Sequence, residues 1–200
     1  MTAPRDRGFT LIEVVIALSI IGATLGIAVG ALRVGLAASR QGEARAAGLQ
    51  HTRSLSALLD HVVGGAYPYR AGAADGGSIV FEGEPERLGF VTATPAVPPA
   101  APVAFAATRL TREEEGLAVR QGTLPARDVF EGIAPVIRDR EVAALRFRYL
   151  RGADRTWHDR WSGKDQGALP AAVEVTLTVS RGGRPIEARP LMIPIRTVTP

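Results

Sequence analysis

The chain has no cysteine. Disulfide frameworks, thiol nucleophiles and zinc–thiolate sites are therefore excluded, while no compartment is ruled out. Lysine is almost as scarce. Lys164 is the one lysine among 24 basic residues, and the arginines are dispersed rather than gathered into a run. Despite a net charge of +4, this dispersion argues against a nucleic-acid surface, which needs a basic stripe or cluster. The arginine bias is what GC-rich coding would give. Aromatic residues make up 6% of the chain and apolar residues 46%, so any core must be built mainly from Val, Leu, Ile and Ala. No Gly-x-Ser-x-Gly motif accompanies the few histidines.

Charge is also missing from one long run. Val14 to Leu32 are nineteen residues with no charged side chain. As a helix they span roughly 28 Å, close to the hydrocarbon thickness of a bilayer. Arg5 and Arg7 precede the run, which favours a cytoplasmic amino terminus; Arg33 and Arg40 weaken that asymmetry without reversing it. A carboxylate, Glu13, stands at the start of this otherwise uncharged stretch. A removable secretory signal would need a shorter apolar core before a small-residue site such as "GLAAS" near Ala38. An ordinary signal anchor accounts for the length but not for Glu13, unless that residue snorkels at the interface.

The segment "RGFTLIEVVIALSIIG" resembles the prepilin signal shared by type IV pilins and type II secretion pseudopilins. The matching elements are Arg5 and Arg7, Gly8, Phe9, Thr10, Leu11, Glu13 and the apolar run from Val14. The resemblance implies cleavage between Gly8 and Phe9 by the prepilin peptidase, followed by N-methylation of Phe9. It further implies that Glu13 pairs with the amine of a neighbouring subunit during assembly. A carboxylate in a bilayer costs about 2.5–3.5 kcal/mol, so only a correctly placed neighbour relieves it. Gly22, Gly26 and Gly30, four residues apart, give one smooth stripe suited to close helix packing in lipid.

The helix is predicted to continue beyond the apolar run. Arg33 to Val63 contain no proline, and Leu55, Leu58, Leu59 and Val62 follow the spacing of a buried stripe before the stop at Gly64-Gly65. Phe9 to Val63 would make one helix of roughly 80 Å, its second half packed on a sheet. His51 and His61 fall about 80° out of alignment, too far to share a metal, and read as surface or packing residues.

Beyond Gly65 the texture is that of short strands. "SIVFE", "RLGFVTAT", "VAFAATRL" and "GLAVRQ" alternate or run apolar, "TPAVPPAAP" is a loop, and "TREEEGL" is a hairpin turn. Three consecutive glutamates, Glu113 to Glu115, diverge too much for calcium. "VAALRFRYL" and "AAVEVTLTVS" are half-buried strands whose wet faces carry opposite charge and would suit antiparallel neighbours. "SRGGRPI" reads as a tight turn into a last strand from Leu191 to Arg196. Between these lie Trp157 and Trp161; they either fasten a long loop to the sheet or, with Tyr149, offer anchors to a partner. The adjacent His158-Asp159 lacks a nucleophile and is not read as catalytic.

Phe147-Arg148-Tyr149, the two tryptophans, Leu169-Pro170 and the strand from Ala172 to Val175 together resemble the J class of minor pseudopilins. That resemblance implies an α+β, pilin-like fold: a long amino-terminal helix, membrane-spanning in its first half, packed on an antiparallel β-rich domain. The divisions would be a leader at 1–8, an assembly helix at 9–32, its continuation at 33–64 and a periplasmic domain at 65–200. The implied role is a subunit of the pseudopilus tip that initiates assembly and protein export, with no cofactor, no metal and no enzymatic activity of its own. Implied partners are the I and K minor pseudopilins, with H as a further candidate, the major pseudopilin and the inner membrane. The alternatives are a minor pilin of a type IV pilus and a membrane-anchored periplasmic domain of other role.

Overall fold

The computed structural model describes residues 10–72, 77–100, 104–126, 128–181 and 183–196, with side chains at 41, 43–47, 49 and 181 outside that description. Two compact units divide the chain, Met1–Leu49 and Gln50–Pro200. A single helix, α1, runs Leu11–Gly64. In the first unit it carries the stretch Leu11–Arg40, which is long and apolar enough to cross a membrane.

In the second unit the strands come in chain order as β1 (Arg70–Ala71), β2 (Ser78–Ile79), β3 (Phe81–Gly83), β4 (Arg87–Thr92), β5 (Ala106–Glu113), β6 (Gly116–Thr123) and β7 (Ala134–Asp139). These are followed by β8 (Val142–Leu150), β9 (Trp157–His158), β10 (Trp161–Ser162), the short helix α2 (Gly163–Gln166), β11 (Ala172–Arg181), β12 (Arg184–Glu187) and β13 (Leu191–Pro194). A six-stranded sheet has the order β10-β3-β4-β5-β6-β7. A second sheet has the order β12-β11-β8-β9, with β13 also paired to β11. The named strand pairs are all antiparallel.

Alternation in sequence decides how β8 and β11 meet. Leu145, Phe147 and Tyr149 lie opposite Leu177, Val175 and Val173, and all six are buried. The expected charge match on the wet face is present: Arg148 lies opposite Glu174, with Nη1 3.5 Å from Oε1. Leu55, Leu59, Val62 and Val63 of α1 enter the same core as Leu88, Phe90 and Leu110 of the first sheet and Val173, Val175 and Ile193 of the second. Burying side chains of this size stabilises by about 1.5–3 kcal/mol each. Leu58, expected in this stripe, is only partly buried. A smaller cluster, centred on Val91, Ala107 and Val129, packs separately.

Several boundaries differ from those expected on sequence alone. "SIVFE" is divided at Val80 into β2, which pairs with β1, and β3, which pairs with β4 and β10. The turn at "SRGGRPI" leads first into β12, which folds back on β11. The last strand stops at Pro194 rather than Arg196, since Arg196 N donates to Gly64 O, the end of α1. His51 is more than a packing residue: its Nε2 lies 3.0 Å from Asp139 Oδ2 and 3.6 Å from Glu141 Oε2, at the turn between β7 and β8.

Candidate functional site

Polar chemistry is scarce along the first part of α1. Glu13 sits in the first turn, where its carboxylate complements the positive end of the helix dipole. Its N–H donates to Thr10 O at 3.1 Å. Around it Leu11, Ile12, Val14 and Val15 are exposed, and the outward apolar surface continues to Leu36. The hydroxyls in this stretch are consumed within the helix. Ser19 Oγ donates to Val15 O at 2.8 Å, and Thr24 Oγ1 lies 3.0 Å from Ile20 O and 2.9 Å from Ile21 O. This back-bonding leaves no free hydroxyl for lipid to desolvate. Sequence reasoning passes over these two residues, although a serine or threonine in an apolar helix, with a carbonyl four residues earlier, is the signal that marks them. At Gly22, Gly26 and Gly30 an added Cβ would meet nothing within 4 Å, so the stripe presents bare backbone. Gly8 and Phe9 lie outside the described residues.

The second group of candidates sits where β8, β9 and β10 converge. Tyr149 is fully buried, packs edge-on against Phe81 with ring centroids 6.0 Å apart, and donates its hydroxyl to Glu84 O at 2.8 Å. Burial pushes its phenol well above the ordinary value, with the Glu84 carboxylate adding to the effect. It is therefore an internal anchor. Gly83 faces it; a Cβ there would fall 2.5 Å from Tyr149 Cζ, so glycine is required by close approach.

Trp161 is also buried, pairs with Gly83 in the ladder and donates Nε1–H to Ala168 O at 3.0 Å. It thereby pins the long connection between β8 and β11 to the first sheet. Ser162 caps α2 by accepting from Asp165 N at 3.2 Å. Trp157 is only half-buried, and Arg148 lies over its ring, 5.7 Å from the centroid. Of the three anchor candidates, Trp157 alone is not buried.

The polar residues around them are occupied structurally. His158 Nε2 lies 3.0 Å from Thr156 Oγ1, while Asp159 approaches Arg148 at 3.6 Å and Arg146 at 3.7 Å. The dipeptide does not form a pair. Hydrogen bonds from Thr156 Oγ1 and N hold the Asp154 carboxyl below its ordinary range. Glu113 pairs with Arg120 at 2.9 Å and Glu115 with Arg138 at 3.2 Å, in different directions. Among the described residues, no group of three or more His, Asp or Glu side chains is arranged to hold a metal ion.

Comparison with known proteins supplies the context for this arrangement. The family model described as "Type II secretion system (T2SS), protein J" matches residues 30–188, and the prokaryotic N-terminal methylation motif matches residues 4–29. A curated relative, the type II secretion system protein J of Xanthomonas campestris pv. campestris, is 35% identical over 94 residues, which are 46% of this chain and 44% of the relative. The match thus spans less than half of that relative's length. Among solved structures, a chain of the GspK-GspI-GspJ complex from the enterotoxigenic Escherichia coli type 2 secretion system superposes with a TM-score of 0.50. It is 20% identical and covers 76% of this chain and 99% of that one. The likeness is one of fold.

Proposed function

The chain belongs to the protein J family of the type II secretion system, and from that premise we propose that it is a minor pseudopilin of the pseudopilus tip. In this reading it joins the I and K minor pseudopilins, with H as a further neighbour, initiates growth of the major-pseudopilin filament and helps drive protein export. The observation that carries the reading is the first part of α1: an exposed apolar surface whose hydroxyls are satisfied internally, led by one carboxylate. Such a surface suits both lipid and close packing with like helices.

The proposed topology places the amino terminus in the cytoplasm, Val14 to Leu32 in the inner membrane and the β-rich unit in the periplasm. Prepilin peptidase cuts after Gly8 and methylates Phe9; the match of residues 4–29 to the methylation motif supports this step. Glu13 then pairs with the amine of a neighbour, and Gly22, Gly26 and Gly30 admit close helix approach. Trp157, with Arg148 against its ring, is the partner-facing anchor. Nothing in this role asks the chain itself to catalyse a reaction.

Affinity-tagged protein, purified from membranes of its native host after crosslinking, is expected to bring down the I and K pseudopilins. Recovery of type IV pilus subunits in their place would overturn the assignment.

A further inference from the structure

The carboxy-terminal end of α1 is held from two directions. A helix ends with four carbonyls that have no partner within it. Here His61 O, Val63 O and Gly64 O accept hydrogen bonds from beyond the helix, and Val62 O lies within reach of one more. His61 O accepts from Thr94 Oγ1 at 2.8 Å, and Gly64 O accepts from Arg196 N at 3.0 Å. Val63 O accepts from Ala66 N at 3.0 Å. The Thr92 hydroxyl reaches both Val62 O, at 3.1 Å, and Gly65 O, at 2.9 Å, and its one proton serves either. Ala93 N donates to Gly65 O at 3.2 Å. Thr92 is fully buried, so no water replaces a broken bond there. Alongside, Arg196 Nη2 lies 2.8 Å from Asp60 Oδ2.

Ala66 apart, the donors come from the margins of both sheets. Thr92 ends β4 of the six-stranded sheet, with Ala93 and Thr94 just beyond it, while Arg196 follows β13 of the other. Gly65 makes the approach feasible, since a Cβ there would collide with Thr94 Oγ1.

We infer that this end of α1 is a force-transmitting joint, through which axial load on the helix passes into both sheets together. The inference deepens the pseudopilin reading and rests on it for its purpose: a subunit in a growing filament is pushed and pulled through its helix. Direction makes these bonds suited to the task. Peptide carbonyls point roughly along the helix axis, so bonds accepted at the helix end bear a share of any axial load. An axial pull on α1 then loads these bonds simultaneously. Side-chain packing along Leu55, Leu59 and Val62 would by itself yield one turn at a time.

The absence of cysteine makes a direct test practicable. Pulling handles are attached to the full chain, kept in a lipid nanodisc, through Arg53→Cys and Glu86→Cys, which load the joint. A second pair, Glu114→Cys and Glu131→Cys, both beside β5 to β7 of the six-stranded sheet, loads that sheet without it. Thr92→Val with Thr94→Val is expected to shorten the lifetime of the first geometry under constant force about tenfold, and to leave the second unchanged. An equal shortening in both geometries would mean a merely structural role and overturn the inference, as would no change in the first. If the double variant fails to fold, Thr94→Val, at a half-buried position, gives the same comparison with a smaller effect. The readout needs no partner, so it fails separately from the pseudopilin assignment, which host complexes decide.

Discussion

Tyr149→Ala is expected to lower the melting temperature of the β-rich unit by about 10 °C, the size of loss that about 3–5 kcal/mol produces in a domain of this length. The ring is fully buried, contacts Phe81 edge-on and fills the space that Gly83 leaves open. Removing it opens a cavity among residues of both sheets, which relax only partly. Tyr149→Phe isolates the hydroxyl: it deletes the donor to Glu84 O and is expected to cost about 1–1.5 kcal/mol. Equal losses in the two variants would mean that the hydroxyl, and not the packing of the ring, holds this part of the core.

The same residue sets an alkaline limit. Its phenol is raised above the ordinary 10.0, first by burial and second by Glu84, so the fold favours the neutral form. That contribution is fully present below the unfolded value and is lost as the pH rises above it. Melting curves from about pH 8 to 11 should therefore fall less steeply for Tyr149→Phe than for the parent chain.

Glu13→Ala is expected to reduce recovery of the crosslinked tip complex by at least about tenfold, the effect of losing roughly 1.4 kcal/mol of pairing. Membrane insertion should not fall, because removing a carboxylate from an apolar helix relieves a cost of about 2.5–3.5 kcal/mol. The β-rich unit should melt unchanged, since Glu13 lies in the other unit. Glu13→Gln keeps the hydrogen-bonding shape and loses the charge; it should behave like Ala if neutralisation of an amine is the device. Undiminished assembly in both variants would reduce Glu13 to a residue placed at the membrane interface.

The parts legible in the sequence are those where local pattern and tertiary role agree. The end of α1 is written in Gly64-Gly65, and β8 and β11 in strict alternation with opposite charge on their wet faces; the register that sets Arg148 beside Glu174 comes from the structure. Edge strands give no such signal. In β7 Pro135 interrupts the pattern and much of the strand is exposed, so no buried face disciplines its sequence. In β12 Pro185 and four exposed residues have the same effect. β9 and β10 are two residues each, shorter than any periodicity.

The candidate site divides in the same way. Glu13 stands out because a charge in an apolar run is costly on its face. His51 does not, since its carboxylate partners lie 88 and 90 positions further along the chain. Nor do Thr92 and Thr94, whose acceptors are the carbonyls of a helix end some thirty residues earlier. The bonds that tie distant elements together carry no local pattern to read.

Whether α1 is a processed assembly helix is tested most directly by one mass measurement. The amino-terminal peptide of the chain, recovered from membranes of its native host, should begin with N-methylated Phe9. An intact Met1, or a start beyond Ala38, would contradict that role.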